Sequence, residues 1–177
     1  MNYKVTDTQI LHYGKVFDLK IDSLEYDSGN KGIREIAVHR GGSVVVPITD
    51  DGKIVFVKQF RYPLQKYLLE LPAGKLEENE DPFVCAEREL TEETGYKSAN
   101  IKHLGKIYTT PGFCTEQLHI YLATSLTLGD HNREEGEYGM SVIELAPKEV
   151  VRRIMFGDIV DAKTICGVFY YLNRENT

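Results

Sequence analysis

Three glutamates in one short segment, Glu89, Glu92 and Glu93, have the residue type and spacing needed to bind a metal ion. Positions i, i+3 and i+4 place their carboxylates on one face of a helix, where each like-charged pair costs roughly 0.2–0.5 kcal/mol. A nearby cation removes this repulsion. Oxygen ligands favour Mg²⁺ or Mn²⁺ over zinc, and Mg²⁺ commonly bridges to substrate phosphates. The spacing therefore predicts a hard divalent cation here, to which the backbone just before Gly74 would add a carbonyl.

The acidic charge of the chain is concentrated around these glutamates. Residues 70–93 contain nine acids and two bases, whereas the 177 residues together contain 27 acids and 21 bases, a net charge of −6. An acidic run is commonly a solvated helix face, but the shared face of the three glutamates favours the metal site. An acidic chain offers no basic surface for a nucleic-acid backbone, so we expect no nucleic-acid partner.

Composition also indicates where the protein is located and what its cysteines do. No apolar run approaches the roughly 20 residues of a membrane span, and residues 1–10 lack a signal-peptide core, so we expect no membrane association and a cytoplasmic location. Cys85, Cys114 and Cys166 form no Cys-x-x-Cys pair and are interpreted as reduced packing residues. The five histidines show no metal-binding spacing either.

Helix signals position the glutamates. Asp81 is a good N-cap, Pro82 suits the first helical position and Gly95 suits the residue after the last turn, so a helix is predicted over 82–94. Its predicted core-facing residues are Phe83, Ala86, Leu90 and Thr94. Two further helices are predicted, over 147–157 and 161–173.

Strand signals are more numerous than helix signals. Alternating or β-branched segments predict one hairpin over 16–39, a second over 43–60, and three later strands at 101–108, 117–124 and 140–145. The strands and helices do not alternate as βαβ units, which favours an α+β or sandwich fold.

The segment that contains the glutamates resembles the Nudix box, the signature of Nudix hydrolases. It reads Gly74, five residues, Glu80, seven residues, and then Arg88-Glu89-Leu90-Thr91-Glu92-Glu93-Thr94-Gly95-Tyr96. Every fixed position of the signature is present, and only Tyr96 departs from the usual aliphatic residue. Similarity to the family extends over most of residues 43–173 and is weak over the first forty.

This resemblance implies specific roles for the residues of the box. Glu89 and Glu93 would be the main metal ligands, with Glu92 assisting and the carbonyl of Ala73 completing the shell. Glu80 would pair with Arg88 and hold the loop, and Gly74 and Gly95 would be structural residues of the motif. The cofactor would be Mg²⁺, with Mn²⁺ as a substitute, and the box would bind a pyrophosphate through it.

Segments outside the box resemble the ADP-ribose pyrophosphatases of this family. They are Gln59-Phe60-Arg61-Tyr62-Pro63, Glu70-Leu71-Pro72-Ala73-Gly74, a proline fifteen residues after the box at Pro111, and Asp161-Ala162-Lys163-Thr164. By this similarity Arg61 would clamp substrate phosphates, Glu116 would contact substrate, and Pro111 with Gly112 would form the wall against the terminal ribose. Arg61 as a strand-end cation and Glu116 as a turn cap are the structural alternatives.

Hydrolysis also requires a base for the attacking water, since metal occupies the box carboxylates. Glu134, Glu135 and Glu137 lie in one acidic segment that would ordinarily be a solvated loop. The family places its base, or a further metal ligand, in this loop, which makes Glu135 and Glu137 the candidates.

The combined expectation is an α+β protein with the Nudix fold, an α/β/α sandwich with a mixed β-sheet, plus a small N-terminal antiparallel β-hairpin subdomain. We expect the subdomain over residues 1–40 and the Nudix hydrolase domain over 41–177. The subdomain would form a homodimer and lend Arg34 to the neighbouring site.

The expected reaction is Mg²⁺-dependent hydrolysis of ADP-ribose to AMP and ribose 5-phosphate. The alternatives are hydrolysis of another nucleoside diphosphate sugar and a regulatory protein that senses ADP-ribose without turnover.

Overall fold

The computed structural model describes residues 2–129 and 139–173. The chain forms two compact units. One comprises Met1–Gly41 with Tyr108–Gln117, and the other comprises Gly42–Ile107 with Leu118–Thr177. Residues 108–117, assigned from the sequence to the C-terminal domain, thus group with the N-terminal unit.

The N-terminal unit is built on a three-stranded antiparallel sheet in the order β1-β2-β3. Its strands are β1 (Tyr3–His12), β2 (Phe17–Tyr26) and β3 (Lys31–His39). The β2–β3 hairpin agrees with the sequence prediction, whereas β1 was not predicted. Every residue of β1 is exposed, so the strand lacks the apolar alternation that identifies a half-buried strand.

Backbone hydrogen bonds attach residues 108–117 to β3. The amide of Ala37 donates to the carbonyl of Phe113 over 2.8 Å, and the amide of Thr115 donates to the carbonyl of Ala37 over 3.0 Å. This turn therefore extends the N-terminal sheet by a short parallel bridge.

The larger unit contains a mixed four-stranded sheet in the order β7-β4-β9-β8. The strands are β4 (Gly42–Pro47), β7 (Ala73–Lys75), β8 (Tyr96–Tyr108) and β9 (Gln117–Leu128). Strand β4 pairs parallel with β9 and antiparallel with β7. All of its residues are buried, as expected for a strand covered on both faces.

A second sheet of this unit has the order β10-β5-β6. Its strands are β5 (Ile54–Arg61), β6 (Lys66–Glu70) and β10 (Ser141–Leu145), and a single 3₁₀ turn at Tyr62–Leu64 joins β5 to β6. Both outer strands are antiparallel to β5. The short strands β6 and β7 were not predicted, because three to five residues give no measurable periodicity.

Three helices cover the four-stranded sheet and complete the core: α1 (Pro82–Thr94), α2 (Pro147–Phe156) and α3 (Ala162–Asn173). Alternate residues of β4 enter two separate clusters. Val44 and Val46 pack in a cluster with Val150 of α2 and Val168 of α3, whereas Val45 packs with residues of α1. The sheet is therefore enclosed by helices on both faces, which confirms the predicted α/β/α sandwich.

One predicted core residue of α1 is wrong. Phe83 is 39% exposed and packs edge-on against Tyr121 of β9, whereas Cys85 is fully buried. Phe83 lies in the first turn of the helix, where it contacts the sheet with only part of its ring. No helix in the described ranges is long and apolar enough to cross a membrane.

Candidate active site

Helix α1 presents Glu89 and Glu93 on its buried face. Its start is fixed by the amide of Phe83, which donates to Asp81 Oδ1 over 2.7 Å, and its end by Gly95 in the left-handed region at φ 76°. Only 6% of Glu89 and 3% of Glu93 are exposed. Burial of two carboxylates four residues apart is costly unless cations or donors compensate them.

Arg88 supplies part of that compensation. Its Nε and Nη2 donate to the two carboxylate oxygens of Glu80 over 2.9 and 3.0 Å, which is the ion pair expected from the sequence. Its Nη1 donates to Glu89 Oε1 over 2.6 Å and to Glu92 Oε2 over 3.1 Å. The hydrogen bonds to Glu80 and the charge of Glu89 raise the pKa of Arg88, so the guanidinium stays charged. Arg88 therefore fixes Glu80, Glu89 and Glu92 together.

The segment just before the helix contacts both buried glutamates. The amide of Ala73 donates to Glu93 Oε2 over 3.0 Å. Gly74 lies so close to the carboxylate of Glu89 that a side chain at this position would overlap it. The φ of Gly74 is not in the left-handed region, so the backbone conformation does not require glycine here. The close approach of Glu89 does.

The donor set fits a divalent metal in its chemistry. Glu89 and Glu93 offer buried carboxylate oxygens, which hard cations prefer. Within residues 2–129 and 139–173, however, no group of three His, Cys, Asp or Glu side chains is arranged to hold a metal. The carboxylates already accept hydrogen bonds from Arg88 and from the amide of Ala73, and these contacts set their orientation. Glu92, the third predicted ligand, is oriented towards Arg88.

Cys85, predicted to be a reduced packing residue, lies next to the same segment. Its thiol is within 3.5 Å of the carbonyl of Lys75 and 3.7 Å of the carbonyl of Gly74. Burial and the charge of Glu89 raise the pKa of Cys85 to about 12, so the thiol stays protonated. Cys85 is a packing residue whose thiol donates to the motif loop. Like Cys85, Cys114 and Cys166 are free cysteines.

A second charged cluster surrounds Glu70, which is 1% exposed. Arg61 donates to it in a bidentate manner, Nε to Oε1 over 2.7 Å and Nη2 to Oε2 over 2.6 Å. Lys163 Nζ also donates to Oε2 of Glu70. Burial alone would raise the pKa of Glu70, but the hydrogen bond from Arg61 and the charge of Lys163 outweigh it and lower the pKa.

Arg61 is also close enough to the box to respond to its charge. The hydrogen bond to Glu70 is the main cause that raises the pKa of Arg61, and the negative charge of Glu93 contributes as well. The charge of Glu93 thus acts on Arg61, the predicted phosphate clamp, while the Nε and Nη2 of Arg61 are bound to Glu70. Sequence reasoning quoted the segments of Glu70 and Lys163 but assigned neither residue a role.

The other predicted substrate residues lie in the N-terminal unit. Arg34 donates to the hydroxyl of Tyr26 over 2.6 Å and to the carbonyl of Ile33 over 2.8 Å. Glu116 accepts from the hydroxyl of Thr109 over 2.7 Å and lies 3.6 Å from His39 Nδ1. These contacts show what orients the two side chains within their unit.

Pro111 and Gly112 form a tight turn in the same unit. The amides of Phe113 and Cys114 both donate to the carbonyl of Thr110, over 3.2 and 3.0 Å. A Cβ built on Gly112 would meet no described protein atom within 4 Å. Packing against the described residues therefore does not require glycine there. The predicted base candidates Glu135 and Glu137, with Glu134, lie outside the described residues.

Comparison with known proteins gives the same assignment as the box. Residues 39–156 match the family model of the NUDIX domain. The chain is 40% identical over 164 residues to an ADP-ribose pyrophosphatase of Bacillus subtilis, covering 92% of this chain and 88% of that protein. It is also 40% identical over 174 residues to a methanol dehydrogenase activator of Bacillus methanolicus, covering 97% and 94%.

More distant matches agree. The chain is 30% identical over 156 residues to a GDP-mannose pyrophosphatase of Escherichia coli K12, covering 82% of this chain and 74% of that protein. A solved structure described as an ADP compounds hydrolase superposes with a TM-score of 0.86 at 18% identity, covering 98% and 94%, and so supports the fold. With the family match over residues 39–156 and relatives at 40% identity along most of its length, the chain belongs to the NUDIX domain family.

Proposed function

We propose that this protein hydrolyses the pyrophosphate bond of ADP-ribose to AMP and ribose 5-phosphate. The observation that carries the proposal is the pair of buried carboxylates, Glu89 and Glu93, on one face of α1. Paired carboxylates suit a divalent cation that holds a diphosphate, and Arg61 is the predicted clamp for its phosphates. The activity named for the Bacillus subtilis relative supports ADP-ribose as the substrate.

Glu89 and Glu93 would hold Mg²⁺, or Mn²⁺ in its place, with Glu92 and the carbonyl of Ala73 as further ligands. When bound, the ion would neutralise negative charge on the diphosphate and lower the pKa of a bound water. Arg61 binds and orients the phosphates. Glu135 or Glu137 accepts the proton of the attacking water. The predicted substrate contacts are Arg34, Glu116, Pro111 and Gly112. The homodimer and its cytoplasmic location are predictions as well.

A second candidate is hydrolysis of another nucleoside diphosphate sugar, because the box itself contacts only the diphosphate. The GDP-mannose pyrophosphatase relative favours this candidate. A non-catalytic regulator is the third interpretation, to which the name of the Bacillus methanolicus relative is relevant. The complete set of box acids, Glu80, Glu89, Glu92 and Glu93, favours turnover over regulation.

Initial rates on a panel of nucleotides test the proposal, with release of the nucleotide product of each substrate, AMP from ADP-ribose and GMP from GDP-mannose, measured by chromatography with and without Mg²⁺. We expect kcat/KM for ADP-ribose to exceed that for ADP-glucose, GDP-mannose and dinucleoside polyphosphates by at least about tenfold, or roughly 1.4 kcal/mol. A preference for GDP-mannose would support the second candidate. Binding of ADP-ribose without any Mg²⁺-dependent product would support the regulator.

A further inference from the structure

Lys163, in the first turn of α3, makes contacts that extend the candidate site beyond the box. Its side chain is 13% exposed, and its Nζ donates to Glu70 Oε2 and, over 3.0 Å, to Asp161 Oδ2. The same oxygen of Asp161 accepts from the amide of Thr164 over 3.0 Å. Lys163 is therefore held by two carboxylates, and neither of these contacts involves the box.

The residues next to Lys163 and Glu70 lock the two segments together. Thr164 is fully buried, and its hydroxyl accepts a hydrogen bond from the amide of Leu71 over 2.8 Å. Leu71 directly follows Glu70. The start of α3 is thus bound to the end of β6 by an ion pair and by a hydrogen bond from the amide of Leu71 to the side chain of Thr164, which leaves Glu70 little freedom to rotate.

Charge alternates along this cluster in the order Arg61, Glu70, Lys163, Asp161. If Glu70 were paired with Arg61 alone, its full negative charge would oppose the attraction of Arg61 for an anion. Because Lys163 shares the same carboxylate, Glu70 can orient the guanidinium while neutralising less of its charge. The hydrogen bonds of Arg61 to Glu70 use Nε and Nη2, and its side chain is 38% exposed. The Nη1 edge therefore suits a further anionic ligand.

We propose that Lys163 is a positioning residue that, by sharing the carboxylate of Glu70, orients Arg61 and preserves its positive charge for a phosphate of the substrate. The proposal rests on the proposed function, since it takes the ligand of Arg61 to be a nucleoside diphosphate. Glu70 and Asp161 accept from the ammonium group of Lys163, so the proposed role is exerted through Glu70 and not through a contact with substrate.

Calorimetric titration with ADP and Mg²⁺ tests the proposal without requiring turnover. We expect Lys163→Met to raise the Kd for ADP about tenfold and Lys163→Arg to restore most of the affinity, because arginine keeps the charge. In an Arg61→Ala background, Lys163→Met should change the Kd less than twofold, since the residue through which it acts is gone. Lys148→Met, which removes an exposed lysine on α2, is the matched control and should leave the Kd unchanged.

A merely structural role predicts different results. Lys163→Met would then weaken ADP binding by the same factor with or without Arg61, and this equal loss would overturn the proposal, as would an unchanged Kd or a wild-type protein that does not bind ADP. If Lys163→Met does not fold, Lys163→Gln replaces it, because its amide keeps a polar group beside the carboxylates of Glu70 and Asp161 while removing the charge. It should show the same loss of affinity for ADP, and in the Arg61→Ala background it should leave the Kd nearly unchanged.

The outcome is separable from that of the proposed function. A wild-type protein that binds ADP with the expected Lys163 dependence, but releases no AMP from ADP-ribose, would overturn the proposed function and leave the positioning role intact. A wild-type protein that hydrolyses ADP-ribose while Lys163→Met binds ADP normally would overturn only the positioning role.

Discussion

Oε1 of Glu89 lies 1.7 Å from the position that a Cβ on Gly74 would occupy. The two atoms cannot coexist, so any residue other than glycine at position 74 must displace the carboxylate of Glu89. Because the obstacle is the end of a flexible side chain, the backbone need not move. The glycine of the motif therefore determines where a predicted metal ligand points.

Gly74→Ala should reduce metal affinity more than it reduces stability. A displaced Glu89 carboxylate would bind Mg²⁺ or Mn²⁺ about 10–100-fold more weakly, which is the usual effect of disturbing the support of a ligand. Activity as a function of metal concentration measures the shift, and thermal unfolding without metal measures the stability. Gly129→Ala is the control, because its Cβ would make only ordinary contacts. An unchanged metal dependence in Gly74→Ala would remove Glu89 from the ligand set.

Glu93→Gln should abolish most of the turnover and leave the fold intact. The amide oxygen of glutamine can still accept from the backbone amide of Ala73, so the hydrogen bond that fixes residue 93 is retained. Loss of one ligand charge should lower kcat by roughly 10²–10⁴, which corresponds to several kcal/mol of transition-state stabilisation. Without metal, the unfolding temperature should hold or rise, since one of two neighbouring buried charges is removed.

Rates at saturating ADP-ribose with increasing Mg²⁺ check this prediction, together with the melting temperature. Glu87→Gln, on the same helix but with an exposed side chain, is the matched control. Near-normal Mg²⁺-dependent activity of Glu93→Gln would refute the assignment of Glu93 as a ligand.

One glutamate of the acidic segment after β9 should act as the base. Either Glu135→Gln or Glu137→Gln should lower kcat by roughly 10²–10⁴ with little change in KM, as expected for loss of a general base. Glu134→Gln provides the control and should be nearly silent. Steady-state kinetics over a pH series distinguishes the residues. Full rates for both variants at every pH would show that this segment is only a solvated charge run.

Stability should fall in acid partly through Glu80. The hydrogen bonds from Arg88 are the main cause that lowers the pKa of Glu80 from its usual 4.5. A carboxylate with a lowered pKa in the folded state stabilises the protein above pH 4.5, and this contribution disappears as the pH falls through the folded pKa. Glu80→Gln should therefore lower the melting temperature at pH 7, and the difference from wild type should shrink towards pH 3.

Melting curves from pH 7 to pH 3, recorded without metal, measure this difference. Glu78→Gln is the matched control, because Glu78 lies in the same segment with an exposed side chain. A Glu80→Gln deficit that stays constant over the whole pH range would mean that the Arg88 pair contributes packing and not charge.

Helix α1 could be predicted to the residue because its ends are encoded locally. Asp81, Pro82 and Gly95 occupy the N-cap, the first position and the left-handed cap that the sequence predicts. The shared face of Glu89, Glu92 and Glu93 could also be predicted, because the geometry of the helix fixes it. In contrast, β1 depends on pairing with β2 along an exposed surface, and such pairing leaves no periodic signal within the strand itself.

The cationic partners of Glu70 could not be predicted from spacing. Glu70 and Lys163 are 93 residues apart in the chain and meet only because α3 packs beside β6. The available signal was compositional: a glutamate at the end of the apolar segment Tyr67-Leu68-Leu69 is expensive to bury without cations. Such a residue indicates that partners exist, but the tertiary fold determines which cations they are.

The exposed apolar side chains of the N-terminal sheet motivate the last prediction, which concerns the oligomeric state. Ile33 is 64% exposed, Tyr3 55%, Val5 45% and Phe17 45%. Large apolar side chains exposed on a small sheet indicate a surface that a partner covers. We predict that a second copy of the chain provides that surface and that Arg34, on β3, reaches the neighbouring site.

Sedimentation or light scattering at micromolar concentration should give about twice the 20.1 kDa mass of one chain. Ile33→Asp should dissociate the homodimer, because it places a charge on the apolar surface that would have to be desolvated. Ser28→Asp adds the same charge in the turn between β2 and β3 and should leave the mass unchanged. If Arg34 serves the neighbouring site, mixing inactive Arg34→Ala with inactive Glu93→Gln should restore part of the activity, since a mixed homodimer contains one intact pair. A mass near one chain for the wild type would reject the dimer.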